Sequence, residues 1–590
     1  MSTFSAQNAK LFASAKGANI PIFEAGNEEY ERSVATANLL YRYSRPPFVV
    51  QPKTIEHVQF IVKQAKEQKI PITIKNGGHS YAGFSIAERG ISLDLTRMDG
   101  YNKVDLDIPK KTATLCAGSL WGHAYRALVN GQHDGLVING GRCPFVGVSG
   151  FILGGGLGPF TRSYGMGIDT LKEVTMITAK GDRVTVSERD SSNSKEGELF
   201  WALRGGGGGN FGVVVQLKLK IEELKSKDVV AGRYVWNPKT EQDRDKTMKT
   251  FYTAKWPTEM TIDSTWLCEM PGGASKKVPA IRFLAYYNGD KSNFDKVIDQ
   301  FLPRTELGTQ LKLRSIQEKS TRFFHETLVA QWSEETTKSF PQSKAFSIYS
   351  SFVFKNGSRG IDNIISIIKE EMDSFKEKFS NESCQFNVTW IHSGGKASDK
   401  KRADTAFRWR DGIYHTYITI SWEEKWLQRE MSRVCIDIRK RLRQHSICKR
   451  AAFVNFPDRQ MDKDGAERAY YGNNRQKLQR VKKSWDPDNY WNWAQSIRFP
   501  QPKQTSRLEN VQLREVVDVS MRAAGRSSDT MSIASVGGSD SEGGGEQETF
   551  EGDDETWTEM VSNEQWENLS GPPPPIGTFL AGYPFAGDSF

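Results

Sequence analysis

The residues best suited to chemistry lie in three short stretches of the chain: KNGGHSYAGFS (Lys75 to Ser85), GGRCPFVGVSGFILGGGLG (Gly140 to Gly158) and RGGGGGNFG (Arg204 to Gly212). Glycine lets backbone amides approach a phosphate closely and tolerates positive φ. Any one of these glycines reads as a turn or a close-packing position. Clustered around Cys143 and Ser149, they suggest a backbone wrapped round something bulky and anionic.

Other chemistries fall away on spacing. No Gly-Lys-Ser/Thr follows either long cluster, so neither is a P-loop. Gly207, Gly209 and Gly212 satisfy GxGxxG, but a nicotinamide dinucleotide site needs a strand before and a helix after. Here helix-like LFWAL precedes and strand-like VVVQLKLKI follows. GVSGF around Ser149 lacks the second glycine of a nucleophile elbow. His325-Glu326 lacks the second histidine of a zinc protease, and the six widely spaced cysteines form no CxxC pair. No metal site is expected.

The elements that must position these residues divide the chain of 590 residues, which is long enough for several domains. Helical spacing from Thr54 to Gln68 leads into a strand at Ile70 to Ile74. Strands at Ile91 to Leu95 and Thr112 to Ala117, a helix from Leu120 to Asn130, a hairpin (173–177, 183–186) and a long strand from Phe211 to Ile221 complete a mixed domain. Beyond Glu222 glycine thins out and tryptophan and tyrosine increase. Alternating segments at Ala280 to Tyr287, Phe346 to Phe354, Phe386 to His392 and Tyr414 to Trp422, with a charged helix at Ile361 to Phe379, predict an antiparallel sheet covered by helices.

Composition sets outer limits. Apolar residues at 37% and aromatics at 11% fit a globular protein. No stretch reaches the roughly 18 unbroken apolar residues of a membrane span. The formal charge of +9 conceals an asymmetry: residues 527 to 590 hold 13 acids and no Lys or Arg, leaving 80 bases against 58 acids before them. The expected use of that contrast is an intramolecular contact of acidic tail with basic body, not nucleic acid, since basic helical runs are usually solvated faces. The Ser-, Gly- and acid-rich tail is expected to be disordered. No secretory signal opens the chain, so the expected location is cytoplasmic.

The first two stretches, with TLKEVTMITAKGD (Thr170 to Asp182), LFWALRGGGGGNFGVV (Leu199 to Val214), TAFRWR (Thr405 to Arg410) and YYGNNRQKLQRVKKSWDPDNYWNWAQSI (Tyr470 to Ile497), closely resemble the berberine bridge enzyme-like flavoproteins. The resemblance covers residues 40 to 500 and implies an α+β fold. A two-part FAD-binding domain of the p-cresol methylhydroxylase type (40–222, completed by a return at 461–503) would accompany a substrate domain (223–460). An N-terminal segment (1–39) and a disordered acidic tail (504–590) flank them.

By the same resemblance FAD is held by two covalent bonds, through His79 and Cys143. A glycine-flanked histidine can reach a flavin edge, and a thiolate is nucleophilic towards an electron-poor ring. Gly77, Gly78, Ser80, Val146, Gly147, Ser149, Gly150, Gly154, Gly155 and Gly158 are expected around the ring and pyrophosphate, Val213 and Val214 beside the adenine, and Tyr471, Gly472 and Asn473 in the segment closing over the flavin. The implied reaction moves a hydride from a small organic substrate (alcohol, sugar or secondary-metabolite intermediate) to flavin while a base takes a proton. Val146, where bulkier residues in the family suppress oxygen reactivity, points to dioxygen as acceptor and to an oxidase. A flavin dehydrogenase and a weakened flavin-holding scaffold with a partner-binding tail stay as alternatives.

Many relatives carry Y-x-N-Y before the return, whereas this chain has Phe453-Val454-Asn455-Phe456, which bears no exchangeable proton on its rings. Substitutes for the base come from IYHTYITISW, where alternation puts His415, Tyr417 and Thr419 on one face and Tyr414, Thr416 and Ile418 on the other. Trp390 and His392 are further pocket candidates, and Trp409 replaces a histidine common in relatives.

Overall fold

The computed structural model describes residues 6–36, 38–271, 278–331 and 345–500. The acidic tail, and with it the expected disorder and the contact with the basic body, lies outside the described residues.

Amphipathic sequence builds the first body. Val58, Ile61, Val62 and Ala65 recur at helical spacing and are buried on one side of the helix Ile55–Glu67, whose N-terminus is capped by the Thr54 hydroxyl. This helix lies between the strands Phe48–Val50 and Ile72–Lys75, both parallel to Ile91–Asp94 in a four-stranded sheet. Ile22–Phe23 adds an antiparallel edge to the same sheet, and Leu11 and Ala15 are buried in the same core. The segment assigned to 1–39 is therefore, over its described residues, part of this domain. The second sheet runs Val104–Asp107, Thr112–Cys116, Val213–Glu223, Leu171–Ile177, Arg183–Ser187, with Leu136–Ile138 on the far end of the long strand.

Seven antiparallel strands form the third sheet, in the order Ser315–Lys319, Asp228–Trp236, Ala280–Tyr287, Met260–Pro271, Ser383–His392, Tyr414–Trp422, Phe346–Phe354. Side chains alternate between two environments. Phe283, Trp390, Tyr414 and Ile418 enter a core shared with the helices Glu241–Thr253, Lys291–Phe301, Ser358–Lys378 and Gln428–Arg443. Ala231, Leu284, Tyr286, Val353 and Ile391 point the other way, into the core of the first body. The sheet thus belongs to both cores, and one face of it roofs the first body.

The return begins earlier than residue 461. Ala451, Ala452 and Phe453 already belong to the first core, as do Ala406, Phe407 and Trp409. A buried lysine fastens its end: Lys482 Nζ donates to Asn210 O at 2.8 Å, Trp491 O at 2.7 Å and Asp486 Oδ2 at 2.7 Å, with both charged side chains wholly enclosed. Removing one member of such a pair strands the other charge. Lys482→Met is therefore expected to destabilise the protein by about 3 kcal/mol or more, read as a fall in denaturation midpoint; an unchanged midpoint would show that the strap does not carry the return.

Candidate functional site

His79 and Cys143 sit on loops pressed against each other. A methyl group on Gly77 would lie 2.6 Å from Gly147 N and 3.0 Å from Phe145 O, so only glycine permits the approach. Asn76 Nδ2 donates to Ser149 Oγ at 3.0 Å, and the imidazole of His79 is hydrogen-bonded to the Phe145 backbone. The Cys143 loop is held from behind by the helix Trp121–Asn130: Gly122 N donates to Pro144 O at 2.7 Å, Trp121 N to Val146 O at 3.1 Å and the Tyr125 hydroxyl to Gly141 O.

The wall these loops form faces open space. His79 is solvent-exposed, yet surrounding protein desolvates it enough to pull its pKa below the ordinary value, with the Phe145 hydrogen bond partly opposing. Exposure and crowding together describe a side chain lining a hollow. A Cβ on Gly150 would meet nothing within 4 Å, Gly78 takes φ +74°, and Asn76 Oδ1 is buried without a partner. The amides of Gly77, Gly78 and His79 take part in no backbone hydrogen bond among the described residues. Unengaged donors on a glycine loop suit an anionic group, and a hollow without Cβ atoms suits a broad ring, so these residues fit FAD.

The other expected contacts divide. Ser80 is turned into its own loop, its hydroxyl accepting from Phe84 N at 3.1 Å. Gly154, Gly155 and Gly158 are packing glycines: a Cβ at Gly154 would meet Asn455 Oδ1 at 1.9 Å, at Gly155 Met166 Cε at 2.8 Å and at Gly158 the Gly140 carbonyl at 1.9 Å. The two long glycine clusters adjoin, since the amides of Gly205 and Gly207 donate to Leu153 O at 3.0 and 2.9 Å. Val213 and Val214 ladder with Ile177 and Met176 on one side, whereas pairing with Thr112–Cys116 starts only at Gln216. Tyr471 donates to Gly206 O at 2.8 Å and Gly472 packs on Trp409. Asn473 is exposed; Asn474 is the buried neighbour, donating to the carbonyls of Arg402, Thr405 and Ala406.

Above the His79 loop stands an aromatic wall. Tyr81 stacks on Tyr349 (4.3 Å between centroids) and lies 5.6 Å from both Tyr417 and Phe456, while Tyr417 lies 4.5 Å from Phe456. All four are half-buried. Register carries the same face outward through neutral groups: Tyr417 pairs with Thr389, Thr389 with Thr265, and Thr419 with Asn387. No spacing or pattern legible in the sequence marks Tyr81 or Tyr349 as a site residue, although Tyr81 lies two residues after His79.

The alternation predicted for Tyr414–Trp422 is present, but its two candidate bases differ. His415 is fully buried between Phe407 and Phe453, at 5.7 and 5.2 Å, and its Nδ1 has no partner. Burial, helped by Arg410, pushes its pKa down to about 3. Tyr417 stays at the open wall. Trp390 and His392 fall on the opposite face, Trp390 stacked on Tyr252 at 4.1 Å and His392 on Tyr414 at 5.3 Å, because their strand parity turns them to the helix layer. Trp409 is structural, donating to Ala469 O at 2.8 Å.

A mixed fold whose glycine-walled hollow fits FAD under an antiparallel sheet defines an FAD-binding oxidoreductase. A family model described as FAD binding domain matches residues 46–187, and one described as "Berberine and berberine like" matches 452–498. The chain is 28% identical over 478 residues to the FAD-linked oxidoreductase YgaK of Bacillus subtilis, covering 80% of this chain and 94% of the relative. It is 28% identical over 495 residues to berberine bridge enzyme-like 9 of Arabidopsis thaliana, covering 79% and 86%. Berberine bridge enzyme from Eschscholzia californica superposes with a TM-score of 0.69 at 21% identity, over 84% of this chain and 99% of that one. Chitooligosaccharide oxidase gives 0.66 at 22%, over 83% and 100%. These matches support an FAD-linked oxidoreductase similar to the berberine bridge enzyme-like proteins.

Two outcomes test this site. Gly150→Ala should leave the melting temperature unchanged while lowering the flavin-to-protein absorbance ratio, because its methyl enters the hollow; equal flavin content would place the ring elsewhere. His415 is neutral in the fold and takes a proton on unfolding below its ordinary value of 6.5, so stability is lost as pH falls from there towards 3. One proton is worth about 1.4 kcal/mol per pH unit. Unfolding free energy of His415→Gln should therefore decline less steeply than wild type between about pH 6 and pH 4; parallel declines would contradict a buried neutral imidazole.

Proposed function

We propose that the protein is an FAD-dependent oxidase, flavinylated through both His79 and Cys143, acting on a small hydroxyl-bearing organic molecule. The observation that supports this reading is the interlocking of the loops that carry His79 and Cys143, at Gly77 and Gly147. When bound there, FAD supplies a two-electron acceptor for hydride, and dioxygen completes the cycle as hydrogen peroxide.

The chain's own residues supply binding and proton management. Asn76 and the amides of Gly77 to His79 would hold the anionic part of the cofactor. Tyr81, Tyr349 and Phe456 offer flat apolar contact to a substrate. Thr265, Thr389, Thr419 and Asn387 offer neutral donors and acceptors suited to hydroxyl groups. Tyr417 is the proton acceptor: it shares this wall, whereas His415 is enclosed behind Phe453 and holds a proton poorly. Phe453 and Phe456 abut these two candidates, so the proton-accepting role passes from the return segment to the adjoining strand. The relatives' printed activities, a tetrahydroberberine oxidase and a chitooligosaccharide oxidase, agree with a small organic substrate, secondary metabolite or sugar, without choosing one.

Acid precipitation of purified protein followed by peptide mass spectrometry tests the attachment. Yellow colour in the pellet and one flavin joining the peptides of His79 and Cys143 are expected; flavin released to the supernatant overturns it. With a substrate found by peroxide screening, Tyr417→Phe should slow anaerobic flavin reduction by about a hundredfold or more at unchanged flavin content. Val146→Ile should slow reoxidation by air while leaving reduction intact. Slow reoxidation in the wild type would make the enzyme a dehydrogenase with another acceptor.

A further inference from the structure

The residue before Cys143 is a buried arginine that none of the functions above uses. Arg142 and Asp263 form an ion pair with side chains only 4% and 6% exposed. Arg142 Nη2 donates to Asp263 Oδ1 at 2.9 Å, and Nη1 donates to the Leu157 carbonyl at 2.6 Å, within the Gly154 to Gly158 turn. The guanidinium also lies 5.9 Å from the centre of the Tyr286 ring. Asp263 is tied in turn to the sheet, its Oδ1 accepting from His392 N at 2.9 Å. Its strand, Met260–Pro271, pairs with Ser383–His392, which pairs with the strand of Tyr417.

Enclosing two charges is costly, and an apolar pair of similar volume often does as well for stability. What an apolar pair would not provide is direction. Here one planar fork joins the Cys143 loop, the glycine turn and the substrate sheet at fixed angles. The His79 loop touches the same loop beyond Cys143, at Phe145 and Gly147, but Asn76 also ties it to the carbonyls of Ala117 and Ser119, and Arg142 makes none of these contacts.

We propose that Arg142 and Asp263 are a positioning pair that aims the Cys143 sulfur at the flavin ring, so that the cysteinyl bond depends on docking of the substrate sheet and the histidyl bond does not. The proposal rests on the two-bond reading above. In the step concerned a sulfur–carbon bond forms while the S–H bond and one ring C–H bond break. The two electrons pass into the ring and on to dioxygen, which takes both protons and leaves as hydrogen peroxide.

The test is peptide mass spectrometry of full-length holoenzyme, quantifying flavin on the Cys143 and His79 peptides separately, with melting temperatures in parallel. Asp263→Asn and Arg142→Gln should each lower occupancy at Cys143 at least tenfold while occupancy at His79 stays at the wild-type level, and Arg142→Lys should recover part of it. Should a single variant fail to fold, the charge-neutral double variant Arg142→Gln/Asp263→Asn carries the same expectation. Undiminished attachment at Cys143 in the folded variants overturns the proposal, as does a parallel fall of both attachments with melting temperature. A wild type lacking the Cys143 adduct would overturn the two-bond reading and the proposal together, whereas a doubly linked wild type with doubly linked variants overturns the proposal alone.

Discussion

Two backbones meet at Gly77 and Gly147 with no room for a methyl group between them. That contact brings a loop from the first sheet against a loop that follows the second, and neither sheet shares a strand with the other. Because side chains are absent at the contact, the approach is set by backbone and by the Asn76 amide that spans it. His79 and Cys143 lie just outside the contact, and their positions are inherited from that junction. A reacting group placed this way needs little ordering when the cofactor arrives.

The same economy governs the seam between the first body and the substrate sheet. Most of that seam is apolar, but buried polar ties punctuate it. Arg162 donates to the carbonyls of Met260, Trp256 and Pro257, and Arg410 grips Asp169 with both terminal nitrogens at 2.8 and 2.9 Å. Apolar packing tolerates sliding, whereas a guanidinium fork loses its hydrogen bonds on a small displacement. The buried arginines therefore fix the start of the strand Met260–Pro271 and the segment that leads into Tyr414–Trp422 on the first body.

The strand of the two candidate bases is covered by the return segment. Phe453 and Phe456 keep the ring packing, against His415 and Tyr417 respectively. Burial then separates the two neighbours. The imidazole is enclosed and held neutral, while the phenol remains at the wall. Of the two candidates on this strand, Tyr417 is left part-exposed and His415 is not.

Local pattern was enough for the elements with strong periodicity. The strands Ala280–Tyr287, Phe346–Phe354 and Tyr414–Trp422 and the helix beginning after Thr54 lie where the residues place them, because one face of each is buried and the period shows it. The strands Asp228–Trp236 and Met260–Pro271 did not stand out. The roles of His79 and Cys143 are implied by the resemblance that their glycine-flanked motifs carry, and the structure brings the two loops together at Gly77 and Gly147. Sequence could not say which glycines face the hollow: Gly150 looks into open space, and Gly154 and Gly158 pack on protein, a distinction made by partners distant in the chain. Nor could it separate His415 from Tyr417, which share a strand face and differ only in what the return segment lays over them, or join Arg142 to Asp263 across 121 residues. Periodicity and motif are properties of neighbours along the chain, so the sequence by itself determined the elements and the reactive types; facing, burial and pairing arise only when remote segments meet, and these the tertiary structure decided.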